Sequence, residues 1–191
     1  MKQNRENPFF ETYRTPFGTP PFDQIKTEQY EPAFDEGIRQ LDKEVRAIAD
    51  NTELPTFENT IVALERSGKL LDKVSSAFFN VLNAEADDEM MDISQRVSPK
   101  LSESSNNIYL NEQLFARVKS VYDRKEELHL PTEDARLLEE TFEAFCVRGA
   151  ALGPEEKEKY RKLSSELSLL SLTFDQNALK DKNRYELLLT K

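Results

Sequence analysis

The sequence predicts an all-α protein: an antiparallel bundle of about six helices with an extended, aromatic and proline-rich amino-terminal arm. Three observations carry that prediction. Apolar residues recur three and four positions apart in one stretch after another, the period of a single helix face. The composition, 38% apolar and 32% charged, is weighted toward Leu, Glu, Lys and Ala, and five glycines with no tryptophan suit a turn-rich β fold poorly. Each apolar stretch also begins at a helix-opening signal: a threonine after proline, a run of acids, an asparagine, or a proline followed by acids. At 191 residues the chain has room for one domain, most simply with one core.

Residues 1–26 form the arm. Pro8, Pro16, Gly18, Pro20 and Pro21 interrupt Phe9, Phe10, Tyr13, Phe17 and Phe22, which forbids a helix while supplying large apolar side chains. Such a segment needs a surface beneath it, either the rest of this chain or a further domain. Phe9, Phe10, Phe17 and Phe22 are therefore candidate interdomain contacts.

Residues 27–181 read as the helical domain. Tyr30, Phe34, Ile38, Leu41, Val45 and Ile48 make the first stripe, with Pro32 in or just before the first turn and Asp50-Asn51 at the end. In "LPTFENTIVALERSG", Leu54-Pro55 separates two helices, Thr56 can accept from a free backbone N–H, and Glu58 favours the positive helix end. Phe57, Ile61, Leu64, Gly68, Leu71, Phe78 and Leu82 then predict one continuous helix. Asp87-Asp88-Glu89 opens the next, through Ile93, Val97 and Leu101, with a kink expected at Pro99. Asn111 caps a helix carrying Leu114, Val118 and Val121. "LPTED" at 130–134 repeats the Leu-Pro-Thr-acid signal before Leu138, Phe142 and Phe145, which predicts the same capping chemistry as at Thr56. Pro154-Glu155-Glu156 opens the longest helix, whose stripe is Tyr160, Leu163, Leu167, Leu170, Phe174 and Ala178. Residues 182–191 end in "RYELLLTK", where Tyr185, Leu187 and Leu189 alternate like a strand that has no partner upstream. Lys191 is thus expected to be a cut inside a longer protein.

Chemistry is sparse. The net charge of −10 disfavours a nucleic-acid partner, and no apolar run reaches the ~18 to 20 residues of a membrane span. No P-loop or dinucleotide fingerprint appears. Zinc peptidase chemistry of the H-E-x-x-H type needs two imidazoles one helical turn apart, and His129 is the single histidine. Glu126 and His129 have the spacing of half a di-iron site and lack the second pair. The pairs Glu126-Glu127 and Glu139-Glu140 point about 100° apart on a helix rather than at each other. Ser164, Ser165, Ser168 and Ser171 have no basic histidine nearby, and Cys146, the only cysteine, reads as a small core hydrophobe. No catalytic and no metal-ligating residue is predicted. "SSAFFNVLNAEADDE" at 75–89 is the one place where apolar, amide and acidic groups meet at a helix junction. Adjacent Phe78 and Phe79 cannot both face one core. Either one of them lies under a neighbouring loop, or Phe78, Phe79, Asn80 and Asn83 belong to a surface that touches substrate or another domain.

Read in order, "NPFF", "PPFDQIKTEQYEPAF", "PTFENTIVALERSGKLL", "FFNVLNAEADDE", "VSPKLSESSNNIYLNEQLFARV" and "LLEETFEAFCVRGAAL" resemble the amino-terminal region of bacterial peptidyl-dipeptidases (dipeptidyl carboxypeptidases), in the thimet oligopeptidase family of zinc metallopeptidases. The likeness runs from about Asn7 to about Asp181. It implies an all-helical fold that forms one wall of a deep channel, with zinc and the H-E-x-x-H helix in the missing carboxy-terminal part. It implies short peptides as substrates, dipeptides released from the free C-terminus, and water on zinc as the attacking species. No catalytic position carries over to these residues, so this segment alone is expected to be inactive and without cofactor, and its partner to be its own catalytic domain. The stretches "PTFENTIVALERSG" and "YLNEQLFARV" favour the dipeptidyl carboxypeptidases over the endopeptidases, and the cytoplasm is the expected location. The competing reading is a free-standing helical adaptor that binds a partner through its arm and helix faces.

Overall fold

The computed structural model describes residues 7–85 and 87–184. Six helices of eleven residues or more make up the bundle: α1 (Tyr30–Ala49), α2 (Lys69–Glu85), α3 (Asp88–Tyr109), α4 (Glu112–Tyr122), α5 (Thr132–Val147) and α6 (Pro154–Arg184). The last reaches Arg184, so the helical region extends past residue 181, and the strand-like reading of residues 185–191 lies outside the described residues.

The expected single core is two clusters. The first joins Phe9 of the arm to Tyr30 and Phe34 of α1, Val74 and Phe78 of α2, and Ile93 and Val97 of α3. Its rings meet edge to face: Phe34 and Phe78 centroids are 5.3 Å apart and Tyr30 and Phe78 5.1 Å, a favoured geometry for aromatic quadrupoles. The second joins Val45 and Ile48 at the far end of α1 to Phe57, Ile61, Leu114, Val118, Leu138 and Phe145. Leu41 packs against both, so α1 is the spine that ties them together.

Helix directions follow from paired contacts. Gly37 faces Leu71 and Phe34 faces Phe78, so α1 and α2 run antiparallel. Phe115 meets Phe145 while Tyr122 meets Phe142, which makes α4 and α5 antiparallel. Gln95 bonds Gln176 and Asn106 bonds Ser164, so α3 and α6 are antiparallel too. Arg96 pairs with Glu31 and Lys100 with Asp35, which sets α3 parallel to α1. At Gly37 a Cβ would lie 3.0 Å from the Leu71 Cα, so glycine permits the close approach of α1 and α2.

Several boundaries are as read from sequence. Thr56 Oγ1 accepts from the Asn59 N–H at 3.1 Å while Asn59 Oδ1 accepts from the Thr56 N–H at 2.8 Å, a reciprocal capping box. Asp87 and Asn111 cap α3 and α4 by accepting from the N–H of Met90 and of Leu114, without the reciprocal bond, and Pro154 takes the first position of α6. Others differ. The predicted continuous helix from Phe57 to Leu82 is broken: Phe57–Val62 is π-helical, Ala63–Glu65 is a short α turn, and Gly68 turns left-handed at φ 78°. Glu44 of α1 accepts the freed Gly68 N–H at 2.8 Å, which satisfies the broken end and restarts the chain as α2. At "LPTED" the cap is Pro131 and the Thr132 side chain makes no capping bond, so the two similar signals differ in chemistry.

Between residues 7 and 13 the arm belongs to this domain. Asn7 donates to the Gln29 carbonyl and accepts from the Phe9 N–H, and Phe9 is buried in the first cluster with Phe10 packed beside it. Phe9 is therefore a core contact within this chain, a correction to its reading as an interdomain contact, and Phe10 is partly buried against the same cluster. Phe17 and Phe22 stand exposed.

Candidate functional site

The junction singled out at residues 75–89 sits beside an open groove of about 610 Å³ between the α2–α3 corner and the second half of α6. The four nominated residues separate here. Phe78 is fully buried in the first cluster. Phe79, 5.2 Å from it between ring centroids, reaches from that cluster into the groove, whose other side is α6 rather than a loop. Asn83 lies one turn further along α2 and lines the groove, exposed. Asn80 does not line it, and its amide donates to the Ser76 carbonyl of its own helix at 2.6 Å.

Leu82, Met91, Leu172, Ala178 and Leu179 supply the rest of the apolar lining, and Asp175, Gln176 and Lys182 complete the polar part. Gln176 is held in place: its Nε2 donates to the Met91 carbonyl at 3.3 Å and Ser94 Oγ at 3.2 Å, while its Oε1 accepts from Gln95. An apolar lining with amide and charged groups beside it can take aliphatic side chains and hydrogen-bond a backbone at once. Sequence reading missed most of the α6 half of this site, because Leu172, Gln176 and Leu179 lie off the stripe that periodicity singles out, which reaches the groove only at Ala178.

A second cavity, about 710 Å³, lies under the arm against α1 and α2. Lys73 governs it: Nζ donates to the carbonyls of Phe9 and Glu11 at 2.9 and 2.6 Å and sits 3.6 Å from the Tyr13 ring centroid. Burial lowers the Lys73 pKa and pushes the Tyr13 phenol up to about 12, with Tyr30 adding to the latter. Lys73 thus reads as the clasp of the arm.

Arg117 is a buried cation that the sequence reading passed over. Its Nη1 donates to the carbonyls of Asn51 and Glu53 at 2.6 and 2.9 Å, and its Nη2 to Asn59 Oδ1 and Thr60 Oγ1 at 3.1 and 3.3 Å. One guanidinium therefore holds the linker and the capping box together. The available signal was its position, three residues after Leu114 and four before Val121, on the apolar face of α4.

The remaining candidates are dispersed. His129 is exposed in the turn between α4 and α5 at φ 46°. Cys146 is exposed, a correction to its reading as a core residue: Phe145 fills the core position and the next residue is rotated about 100° away. Ser164 accepts from Asn106 Nδ2 and donates to the Tyr160 carbonyl. Among the described residues no three His, Cys, Asp or Glu side chains gather as a metal-binding group. Among the described residues, too, no helix is long and apolar enough to cross a membrane.

Fold and groove define an all-helical segment with an open furrow along α6. No protein-family model matches the sequence. The chain is 43% identical over 173 residues to the dipeptidyl carboxypeptidase of Escherichia coli strain K12, which covers 91% of this chain and 25% of that protein. It is 27% identical to the thimet-like oligopeptidase of Dictyostelium discoideum over 82% of this chain and 24% of that protein. It is 24% identical to the probable cytosolic oligopeptidase A of Arabidopsis thaliana over 91% of this chain and 25% of that protein. The chain belongs to this family of thimet-like peptidases, and within it matches dipeptidyl carboxypeptidases at the highest of these identities. It spans about a quarter of the length of the relatives it matches.

Proposed function

We propose that the chain is the amino-terminal, non-catalytic segment of a cytoplasmic peptidase that releases dipeptides from the C-terminus of short peptides, and that its groove forms part of the substrate channel wall. The observation that carries the reading is the 43% identity to a dipeptidyl carboxypeptidase over nearly the whole chain and only a quarter of the relative. The groove supports the channel role, since Phe79, Leu82 and Leu172 offer an apolar wall while Asn83 and Asp175 offer exposed hydrogen-bonding groups to a peptide backbone. The cytoplasmic part of the reading is supported by the relative named as a probable cytosolic oligopeptidase A.

Zinc and its activating glutamate are assigned to the remaining part of the longer protein. The single histidine lies exposed in a turn, and the described residues bring together no metal-binding group, so the donors present here do not fit the ion. This segment's contribution is to bind and orient substrate and to pack against its own catalytic portion.

The test is made on the product of the entire reading frame, with an amino-blocked tripeptide as substrate. Dipeptide release is expected, and Asn83→Ala combined with Asp175→Ala is expected to raise KM about threefold to tenfold with kcat retained, as for loss of uniform binding. A full-length product that releases no dipeptide would refute the activity, and an unchanged KM would remove the groove from the channel. The 191-residue segment by itself is expected to release none.

A further inference from the structure

The face that α6 turns toward α3 is polar over much of its length, with Leu172, Ala178 and Leu179 of the groove as its apolar part. Gln176, Ser164, Ser165 and Arg161 meet Met91, Ser94, Gln95, Asn106 and Asn107 there through hydrogen bonds or cavity-lining contacts, and among the described residues neither apolar cluster includes an α6 side chain. The apolar stripe is on the other side. Leu163, Leu167, Leu170 and Phe174, expected from periodicity to enter the bundle, are between 54% and 72% exposed. A helix normally buries its apolar face, so α6 is placed as though its main neighbour were elsewhere.

We propose that this stripe is the docking seam for one helix contributed by the remaining portion of the same polypeptide. The inference rests on the reading of the chain as a segment of a longer peptidase. Its spacing of four, three and four residues is that of a coiled-coil seam, a narrow line that one helix covers and that a sheet face would overreach. Exposed Lys159, Lys162, Glu166 and Thr173 flank the seam with polar groups, as helix partners require at the edges of such contacts. The relatives supply the occupant's source, since the chain spans 25% of the dipeptidyl carboxypeptidase it matches and the rest of such a protein must pack somewhere.

The experiment uses the product of the entire reading frame with p-benzoylphenylalanine placed at Leu167 in one variant and at Phe174 in another, the second replacing one aromatic by another. After illumination and digestion, both are expected to give intramolecular cross-links to the same helix-forming segment beyond residue 191, at positions about seven residues apart. Cross-links between two copies, to a different protein, or at neither position would each overturn the proposal. Dipeptide release is measured on the same samples before illumination. Retained release with no intramolecular cross-link defeats the seam alone, whereas a cross-link without release defeats the peptidase reading and leaves the seam standing.

Discussion

Replacing Arg117 by methionine tests the principal polar contact of the second half of the fold. The variant keeps the aliphatic stem on the face of α4 and removes four hydrogen bonds, two of them to backbone carbonyls at 2.6 and 2.9 Å. Hydrogen bonds to a charged donor are worth about 1.5 to 3 kcal/mol each, so the two short ones set an upper range of about 3 to 6 kcal/mol. Two effects reduce it. Glu53 is exposed and Asn51 half-buried, so their carbonyls can recover water, and methionine no longer carries the desolvation cost of a buried cation. The net loss is expected at about 2 to 3 kcal/mol, which at a urea slope of about 2 kcal/mol per molar lowers the midpoint by about 1 to 1.5 M. Arg117→Lys should fall between, because an ammonium is a point charge that cannot span both pairs of acceptors. Amide exchange should accelerate first around residues 51–60. A midpoint for Arg117→Met within about 0.2 M of the parent would refute the reasoning, since it would mean that water replaces the guanidinium at no loss.

Thr56→Ala should cost about 1 kcal/mol in urea unfolding through loss of the capping box, while Thr132→Ala should change stability by less than about 0.5 kcal/mol. Equal effects at the two sites would contradict the different caps described for them. Arg39, with Gln40, holds the Glu36 carboxyl down at about 2, against an ordinary value of 4.5. The stabilisation it gives is complete above about pH 4.5 and is lost as the pH falls toward 2. The difference in urea midpoint between the parent and Glu36→Gln should therefore shrink over that interval, and a difference constant from pH 6 to 2 would exclude the pairing.

The helices were legible because their stripes and caps are local. Asp87, Asn111 and Pro154 each act within a few residues, and Tyr30, Phe34 and Val45 mark the core face of α1 by spacing alone. What escaped the sequence depends on contacts far along the chain. Gly68 breaks the second helix where Glu44, 24 residues away, receives its N–H, and no local pattern announces that acceptor. The identical letters Leu-Pro-Thr before α5 cap differently because Thr56 has Asn59 to answer it, whereas the residue at the corresponding place is Ala135. Phe79 was readable as a residue out of the core, yet its groove required α6 to be laid across it from about 95 positions later. The stripe of α6 was readable as apolar, but periodicity carries no information about which side of a helix its own domain will occupy.

The buried groups of both apolar clusters all lie between residues 9 and 150. During synthesis, then, everything those clusters require emerges from the ribosome ahead of α6. A domain can close its cores at that point, since domains fold as units from the amino terminus as the chain emerges. Helix α6, about 46 Å long at 1.5 Å per residue, would be added to an already consolidated body through serines, glutamines and asparagines. Its hydrogen-bonded seat on α3 tolerates water, so the helix can dock there with its leucines outward. The order of translation would then coincide with the order of assembly.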